Sequence, residues 1–150
     1  MFTRILIAAA VAASLSGTPA LSEIGRVKRA YGQASILRGT ATLPATSGFP
    51  LLEKDVLATG PDGRISIAFI DNTRFSVGPK SKIALTQFKF DETTHQGGRF
   101  DTTVERGSLA VVSGQIAHEG KDAMRVRTPT SLLGVRGTRF VVATRAMIVS

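Results

Sequence analysis

Apolar and polar residues alternate along most of the chain after residue 23, and Gly, Pro, Asn and Asp interrupt the alternation every few positions. In the segment 64–77, apolar residues occupy every second position on both sides of an Asp71-Asn72-Thr73 turn, namely Ile65, Ile67, Phe69, Phe75 and Val77. Successive side chains of a β-strand point to opposite faces, so this spacing predicts a hairpin with one buried face. After residue 20 no window shows a helical period with caps.

The same pattern places strands along the rest of the chain. The predicted strands are 24–31, 34–37, 51–59, 64–69, 74–77, 83–90, 100–106, 108–112 and 124–127, and the predicted loops are 39–50, 91–99 and 113–122. We expect the first two strands, which Gly32 separates, to pair with each other. Ile83 and Leu85 have one parity and Phe88 and Phe90 the other, which either a β-bulge near Thr86-Gln87 or an end to the strand would reconcile.

These elements predict an all-β fold, a single domain of short antiparallel strands. A sandwich and a short solenoid-like stack both fit the pattern. The last strand lies close to the end of the sequence, and an exposed edge there would allow self-association through strand pairing.

The first 20 residues have the layout of a secretory signal peptide. Arg4 precedes an apolar run from Ile5 to Leu15, and small residues follow it. We predict helical structure here and cleavage after Ala20, with cleavage after Ser22 or an uncleaved membrane anchor as alternatives. The expected organisation is therefore a signal peptide at 1–20 and one β domain at 21–150, periplasmic or secreted, with no transmembrane segment in the mature form.

The chain has no cysteine, so neither disulfides nor lipoprotein attachment is expected. Without residues 1–20 it carries 18 basic and 11 acidic residues, a net charge of +7. Export and the single scattering of Lys and Arg argue against nucleic acid as a partner. The charge either attracts anionic envelope polymers or lipid head groups or simply keeps the protein in solution.

No group of residues has the spacing of a catalytic or metal site. His95 and His118 lie in separate polar segments without a second ligand at a recurring spacing. No serine lies in a nucleophile-elbow pattern, and Gly134-Val135-Arg136-Gly137-Thr138 lacks the Lys and the helix of a phosphate loop. We therefore expect a protein that is not an enzyme and has no cofactor.

The segment Thr128 to Val142 is the most distinctive stretch, and it reads as strand, bend and strand. Gly134 and Gly137 permit positive φ or close backbone approach. Thr138 can hydrogen-bond the local backbone, while Phe140 and Val142 place apolar groups on one sheet face.

Arg136 stands in apolar surroundings within this segment. If Arg136 is buried, it needs an acidic partner, because an unpaired guanidinium in a core is very costly. Asp55 and Asp62 are the candidates. The alternative is that Arg136 points to water.

From Gly25 to Val142 the chain resembles the FecR domain family. The resemblance rests on motifs in a fixed order: Gly25-Arg26-Val27, Leu51 to Thr59 with Asp55, Gly63 to Ile67, Asp71-Asn72-Thr73, Gly78 to Ile83, Gly107 to Leu109 and Thr128 to Phe140. By this resemblance Gly134, Val135, Arg136, Gly137, Thr138, Phe140 and Asp55 are family motif residues with a structural role. The residues that bind a partner stay unassigned.

The resemblance implies an extracytoplasmic all-β module. The best-known members are transmembrane regulators that relay a signal from an outer-membrane receptor to a cytoplasmic sigma factor. The predicted signal peptide stands here where those regulators have a sigma-binding segment and a membrane helix. We therefore expect an exported binding or scaffold module that contacts an envelope protein or an anionic envelope polymer. The alternative is an accessory of sigma-factor-linked signalling that acts in trans on a membrane partner.

Overall fold

The computed structural model of the chain describes residues 22–120, 122–137 and 139–144. Within these residues the chain forms twelve β-strands and one short helix. In order they are β1 (Glu23–Tyr31), β2 (Ala34–Arg38), β3 (Ala41–Pro44), β4 (Pro50–Leu52), β5 (Val56–Thr59), β6 (Arg64–Phe69), β7 (Arg74–Val77), β8 (Lys82–Lys89), β9 (Arg99–Val112), α1 (Gln115–Glu119), β10 (Met124–Arg127), β11 (Leu132–Val135) and β12 (Arg139–Thr144).

The strands form one sheet, mostly antiparallel, that curls into a half-barrel. One half, here called half-sheet A, has the order β4-β1-β6-β7-β9-β12. The other, half-sheet B, has the order β3-β2-β5-β8-β9-β10-β11. The long strand β9 belongs to both, because residues 99–106 pair in half-sheet B and residues 107–112 pair in half-sheet A.

Four chain segments cross between the half-sheets at stacked corners. The corners lie at 32–33 between β1 and β2, at 60–63 between β5 and β6, at 78–81 between β7 and β8, and at Gly107 inside β9. Backbone hydrogen bonds join neighbouring corners: Gly60 donates to Gln33 (2.9 Å), and Lys80 donates to Gly60 (3.0 Å). Gly107 has φ +86° and lies against Ser81. A β-carbon there would meet the next corner, which explains the glycine.

The core lies between the two half-sheets and contains a cluster of four phenylalanines. Phe69 and Phe75 come from half-sheet A, and Phe88 and Phe100 come from half-sheet B. The Phe69 and Phe100 rings meet edge to face with centroids 4.7 Å apart, and Phe88 and Phe100 do so at 4.8 Å. These contacts bury large apolar area and hold the curled halves together.

Several predictions from the pattern are confirmed. β6 and β7 form the expected hairpin, with Ile65, Ile67, Phe69, Phe75 and Val77 all buried. The register of β8 against β9 shifts between Leu85 and Gln87, where the bulge is expected. In β10, Met124 and Val126 are buried while Arg125 is partly exposed and Arg127 exposed.

Other boundaries and pairings are wrong. The first two strands do not pair with each other, because the chain turns a corner at residue 32 and enters the other half-sheet. The loop at 39–50 contains β3, an edge strand whose burial is too slight to leave an apolar pattern. The strand at 51–59 is divided into β4 and β5 by a turn in which Lys54 has φ +72°. The strands at 100–106 and 108–112 are the single strand β9.

Two further expectations are wrong: that the chain contains no helix after residue 20, and that all of its strands pair in antiparallel fashion. The connection at 113–122 contains α1, in which Ile116 and Ala117 are buried. This helix carries the chain back from half-sheet A to half-sheet B, so that β10 pairs with β9 in parallel. Two buried residues in five are too few to show a helical period in sequence.

The predicted signal peptide at 1–20 lies outside the described residues. Among the helices of the described part of the chain, none has the length and apolar character needed to cross a bilayer.

Candidate functional site

The predicted strand, bend and strand at 128–142 carries the chain between the half-sheets. β11 pairs only with β10 among the described strands, whereas β12 pairs with β9. Val135 is buried, Phe140 packs against the core, and Gly134 lies opposite Arg125. Gly137 makes the bend with φ +62° beside His118 of α1. Thr138 lies outside the described residues.

Arg136 is exposed, so the hypothesis that it is buried beside Asp55 or Asp62 is wrong. The alternative, an arginine that points to water, describes this residue. Asp55 precedes β5, and β8, β9 and β10 lie between β5 and β11 in half-sheet B. Four strand spacings amount to about 19 Å, too far for an ion pair. Asp62 accepts a hydrogen bond from the Gln33 backbone N–H at 3.2 Å.

Asp55 has another basic partner, Arg38. The carboxylate is 1% exposed and accepts two hydrogen bonds from the guanidinium, at 2.9 Å from Nε and 2.8 Å from Nη2. A third comes from the Leu52 backbone N–H at 2.8 Å. The hydrogen bond with Asp55 raises the pKa of Arg38 above its ordinary value. The pair fixes the β4–β5 turn against β2, which is a structural role.

A row of outward-facing arginines lies on the outer face of half-sheet A. One row of paired residues runs across five neighbouring strands, β1, β6, β7, β9 and β12. Its members, in that order, are Arg26, Ala68, Arg74, Val112 and Arg139. Paired residues of neighbouring strands share a face, and alternate strands lie about 10 Å apart. The row therefore presents three arginines at intervals of about 10 Å.

The next rows extend the same pattern. Arg29 lies in register with Ser66, Ser76, Ala110 and Val141, and Arg64 lies opposite Tyr31. We call the set Arg26, Arg29, Arg64, Arg74 and Arg139 the arginine face; all five residues are exposed.

The acid beside this face is Glu23, which binds Arg26. The Arg26 Nε donates to one Glu23 oxygen, and its Nη2 donates to the other at 3.0 Å. This hydrogen bonding lowers the pKa of Glu23 and raises the pKa of Arg26. Glu23 thus stays ionised and offsets one positive charge, which leaves the other four arginines uncompensated by ion pairs within the described residues.

Small side chains keep the middle of the face flat. A shallow groove of about 300 Å³ runs over Ser66, Ser76 and Ala110. Tyr31 (56% exposed) and Val141 (71% exposed) flank it on opposite sides. A flat groove with guanidinium donors around it fits an extended anionic chain better than a compact small molecule.

Sequence reasoning did not find the arginine face. Consecutive members are separated by 3 to 65 positions along the chain, and only Arg26 and Arg29, in the segment Arg26-Val27-Lys28-Arg29, lie close together in sequence. The available signal is that each arginine takes the outward parity of its strand, opposite to the buried apolar residues. That signal becomes a surface only when the strand order is known.

Comparison with known proteins gives one family. The family model described as FecR protein matches residues 55–150, about two thirds of the chain. Neither the curated proteins nor the solved structures contain a significant match.

Proposed function

Because the chain belongs to the FecR protein family, we propose that it is an exported, non-catalytic binding module of the cell envelope that holds an anionic polymer on the arginine face. The family is associated with sigma-factor-linked transmembrane signalling. Beyond this family role, we place the protein in the periplasm or outside the cell, with a negatively charged polymer as its ligand.

The arginine face is the observation that carries the proposal. An exposed ion pair contributes only about 0–1 kcal/mol, so one arginine would not hold a ligand. A polymer with repeated carboxylate or phosphate groups can engage several arginines at once, and each additional contact then forms without a new loss of translational freedom. The guanidinium fork binds both kinds of group with two parallel hydrogen bonds.

Titration of the purified protein with lipopolysaccharide and with soluble peptidoglycan fragments tests the proposal. The double variant Arg74→Ser/Arg139→Ser removes two arginines of one row. Losing two contacts of about 0.7 kcal/mol each should weaken binding about tenfold. Wild-type binding should also weaken as salt rises, because both partners are exposed.

The matched control is Lys89→Ser/Arg106→Ser, which removes the same net charge at exposed positions of half-sheet B. This variant should keep wild-type affinity. Equal losses in the two double variants would show that only net charge matters and would refute a defined face. Recovery of a protein partner by crosslinking in intact envelopes, together with no binding to either polymer, would refute a polymer ligand.

A second candidate function follows from the family match. The protein would act in trans as an accessory of sigma-factor-linked signalling, on a partner that provides the membrane segment. A deletion strain should then lose a transcriptional response while its envelope stays intact. Loss of envelope integrity without a change in transcription would contradict this function.

A further inference from the structure

A second basic site lies on the outer side of half-sheet B, where β9 and β10 pair in parallel. Arg125 stands beside Asp101, and Arg127 stands beside Thr103. These residues line a cavity of about 110 Å³ together with Arg99, Thr86, Thr102 and Leu132. We call this cavity the arginine pocket. Met124 and Val126, the alternate residues of β10, are buried in the core, so the arginines of β10 face outward.

Positive charge in the pocket exceeds negative charge. Asp101 accepts a hydrogen bond from Arg99 Nε at 3.0 Å, and Arg125 Nε lies 3.4 Å from its other oxygen. Arg127 pairs with no acid of the described residues. Three guanidiniums face one carboxylate, which leaves a formal excess of +2.

Asp101 also orders the two arginines that it binds. The side chains of Arg125 and Asp101 are only 28% and 22% exposed, so these charges are screened less by water than surface charges are. Like charges held together in this way favour the entry of an anion. A guanidinium fixed by a carboxylate has lost part of its conformational freedom already, which lowers the entropy cost of binding.

Two threonine hydroxyls add a neutral donor. Thr86 Oγ1 and Thr103 Oγ1 lie 3.1 Å apart and share one hydrogen bond. Two hydroxyls carry two hydrogens and this bond uses one, so the second remains free to donate to a ligand. The pocket therefore combines charged and neutral donors, as an oxyanion requires.

From this arrangement we infer that the arginine pocket binds a single phosphate group. The cavity is well below the roughly 300 Å³ of pockets that hold a drug-sized molecule, and it holds one oxyanion or a few water molecules. The excess charge of +2 matches the charge of about −1.5 to −2 that a phosphate group carries at pH 7. The group is either free inorganic phosphate or the end of a phosphomonoester.

The site is separate from the arginine face, because the two lie on the outer sides of different half-sheets. The inference therefore does not depend on the proposed polymer binding.

The test is a titration of the isotope-labelled protein with inorganic phosphate, followed by amide NMR at constant ionic strength. Saturable shifts should appear at Asp101, Thr103, Arg125 and Arg127. Arg127→Ser removes the unpaired guanidinium and should weaken binding at least about tenfold, with partial rescue by Arg127→Lys. Arg127 is exposed, so its replacement should not disturb the fold. Unchanged amide shifts in the rest of the protein will show that the variant is folded.

The matched control is Arg106→Ser, the same substitution at an exposed position of β9 outside both the arginine pocket and the arginine face, which should leave the phosphate titration unchanged. Glycerol phosphate in a parallel titration separates the two sources. Tighter binding of glycerol phosphate supports a phosphomonoester, and binding of inorganic phosphate alone supports the free ion. The inference fails if acetate binds as well as phosphate, if the shifts fall on β1, β6 and β7 and not on β9 and β10, or if Arg127→Ser titrates like the wild type.

Discussion

Two arginines show how position decides what a charged side chain does. Arg136 is exposed at a bend, whereas Arg38 binds a carboxylate that is almost fully buried. Removing Arg136 should change the free energy of unfolding little. Removing Arg38 leaves the buried carboxylate of Asp55 without its basic partner, which is costly.

This contrast gives a stability prediction. Arg136→Ala should change the free energy of unfolding by less than about 0.5 kcal/mol, as an exposed substitution usually does. Arg38→Ala should lower it by about 1–3 kcal/mol, because Asp55 then loses two of its three hydrogen bonds. Urea unfolding monitored by circular dichroism measures both. Equal effects would contradict the placement of Asp55.

A second residue-scale prediction concerns the corner glycine of β9. Gly107→Ala places a β-carbon 2.5 Å from Ser81 Cα at a φ of +86°, so both contact and backbone strain oppose it. We expect Gly107→Ala to lower the free energy of unfolding by more than about 2 kcal/mol. Gly39→Ala is the control, because Gly39 also has positive φ but nothing lies within 4 Å. That substitution should cost only the strain of about 1 kcal/mol.

A titration prediction belongs to the loop at 91–98. The backbone N–H groups of Thr94 and Thr93 hydrogen-bond the Asp91 carboxylate and lower its pKa below its ordinary value. A carboxyl whose pKa is lowered on folding stabilises the folded loop above its unfolded pKa, and the effect disappears as the pH falls through the folded pKa. Amide shifts of Thr93 and Thr94 should therefore move together as the pH falls through the folded pKa, at a lower pH than an unperturbed aspartate titrates. A common midpoint at or above the ordinary pKa of aspartate would contradict this.

At the scale of elements, the β6–β7 hairpin and α1 depend on one buried carboxylate. Asp71 Oδ2 accepts hydrogen bonds from Thr73 Oγ1 (2.7 Å) and Ile116 N–H (3.3 Å), and Asp71 Oδ1 accepts from Thr73 N–H (3.1 Å). The Asp71 carbonyl accepts from Gln115 N–H at 2.8 Å. The hairpin tip thus positions a helix too short to be stable alone.

Asp71→Ala should therefore destabilise the protein by about 3 kcal/mol, since three buried donors lose their acceptor. Asp91→Ala removes a similar local acceptor at an exposed position and should have a much smaller effect. Amide hydrogen exchange can locate the change. Protection should fall at Ile116 in the Asp71 variant and stay unchanged there in the Asp91 variant.

At the scale of the whole molecule, self-association remains a prediction. β12 pairs with β9 on one side, and its other edge has no partner strand among the described residues. Val141 is exposed on this strand, although Arg139 opposes close approach of a second copy by charge repulsion. A mass that rises with concentration in light scattering would support pairing at β12, and a constant monomer mass would exclude it.

The sequence alone determined the β character, the core hairpin, the family and the bend at Gly137, and it located an irregularity in β8 near Thr86 as either a bulge or a strand end. Each of these is a local pattern of parity, turn residues or short motifs. It did not reveal α1, β3 or the pairing of β2, because a five-residue helix and an edge strand bury too little to leave a period.

Only the tertiary structure decided which charges act together. Arg26, Arg74 and Arg139 became neighbours through a strand order that no single segment encodes, and Asp55 was assigned to Arg38 and not to Arg136 in the same way. The bend at Gly137 is predictable from the sequence because it depends on the backbone conformation of one short segment. The arginine face and the arginine pocket are not, because strand pairing joins residues that the chain keeps far apart.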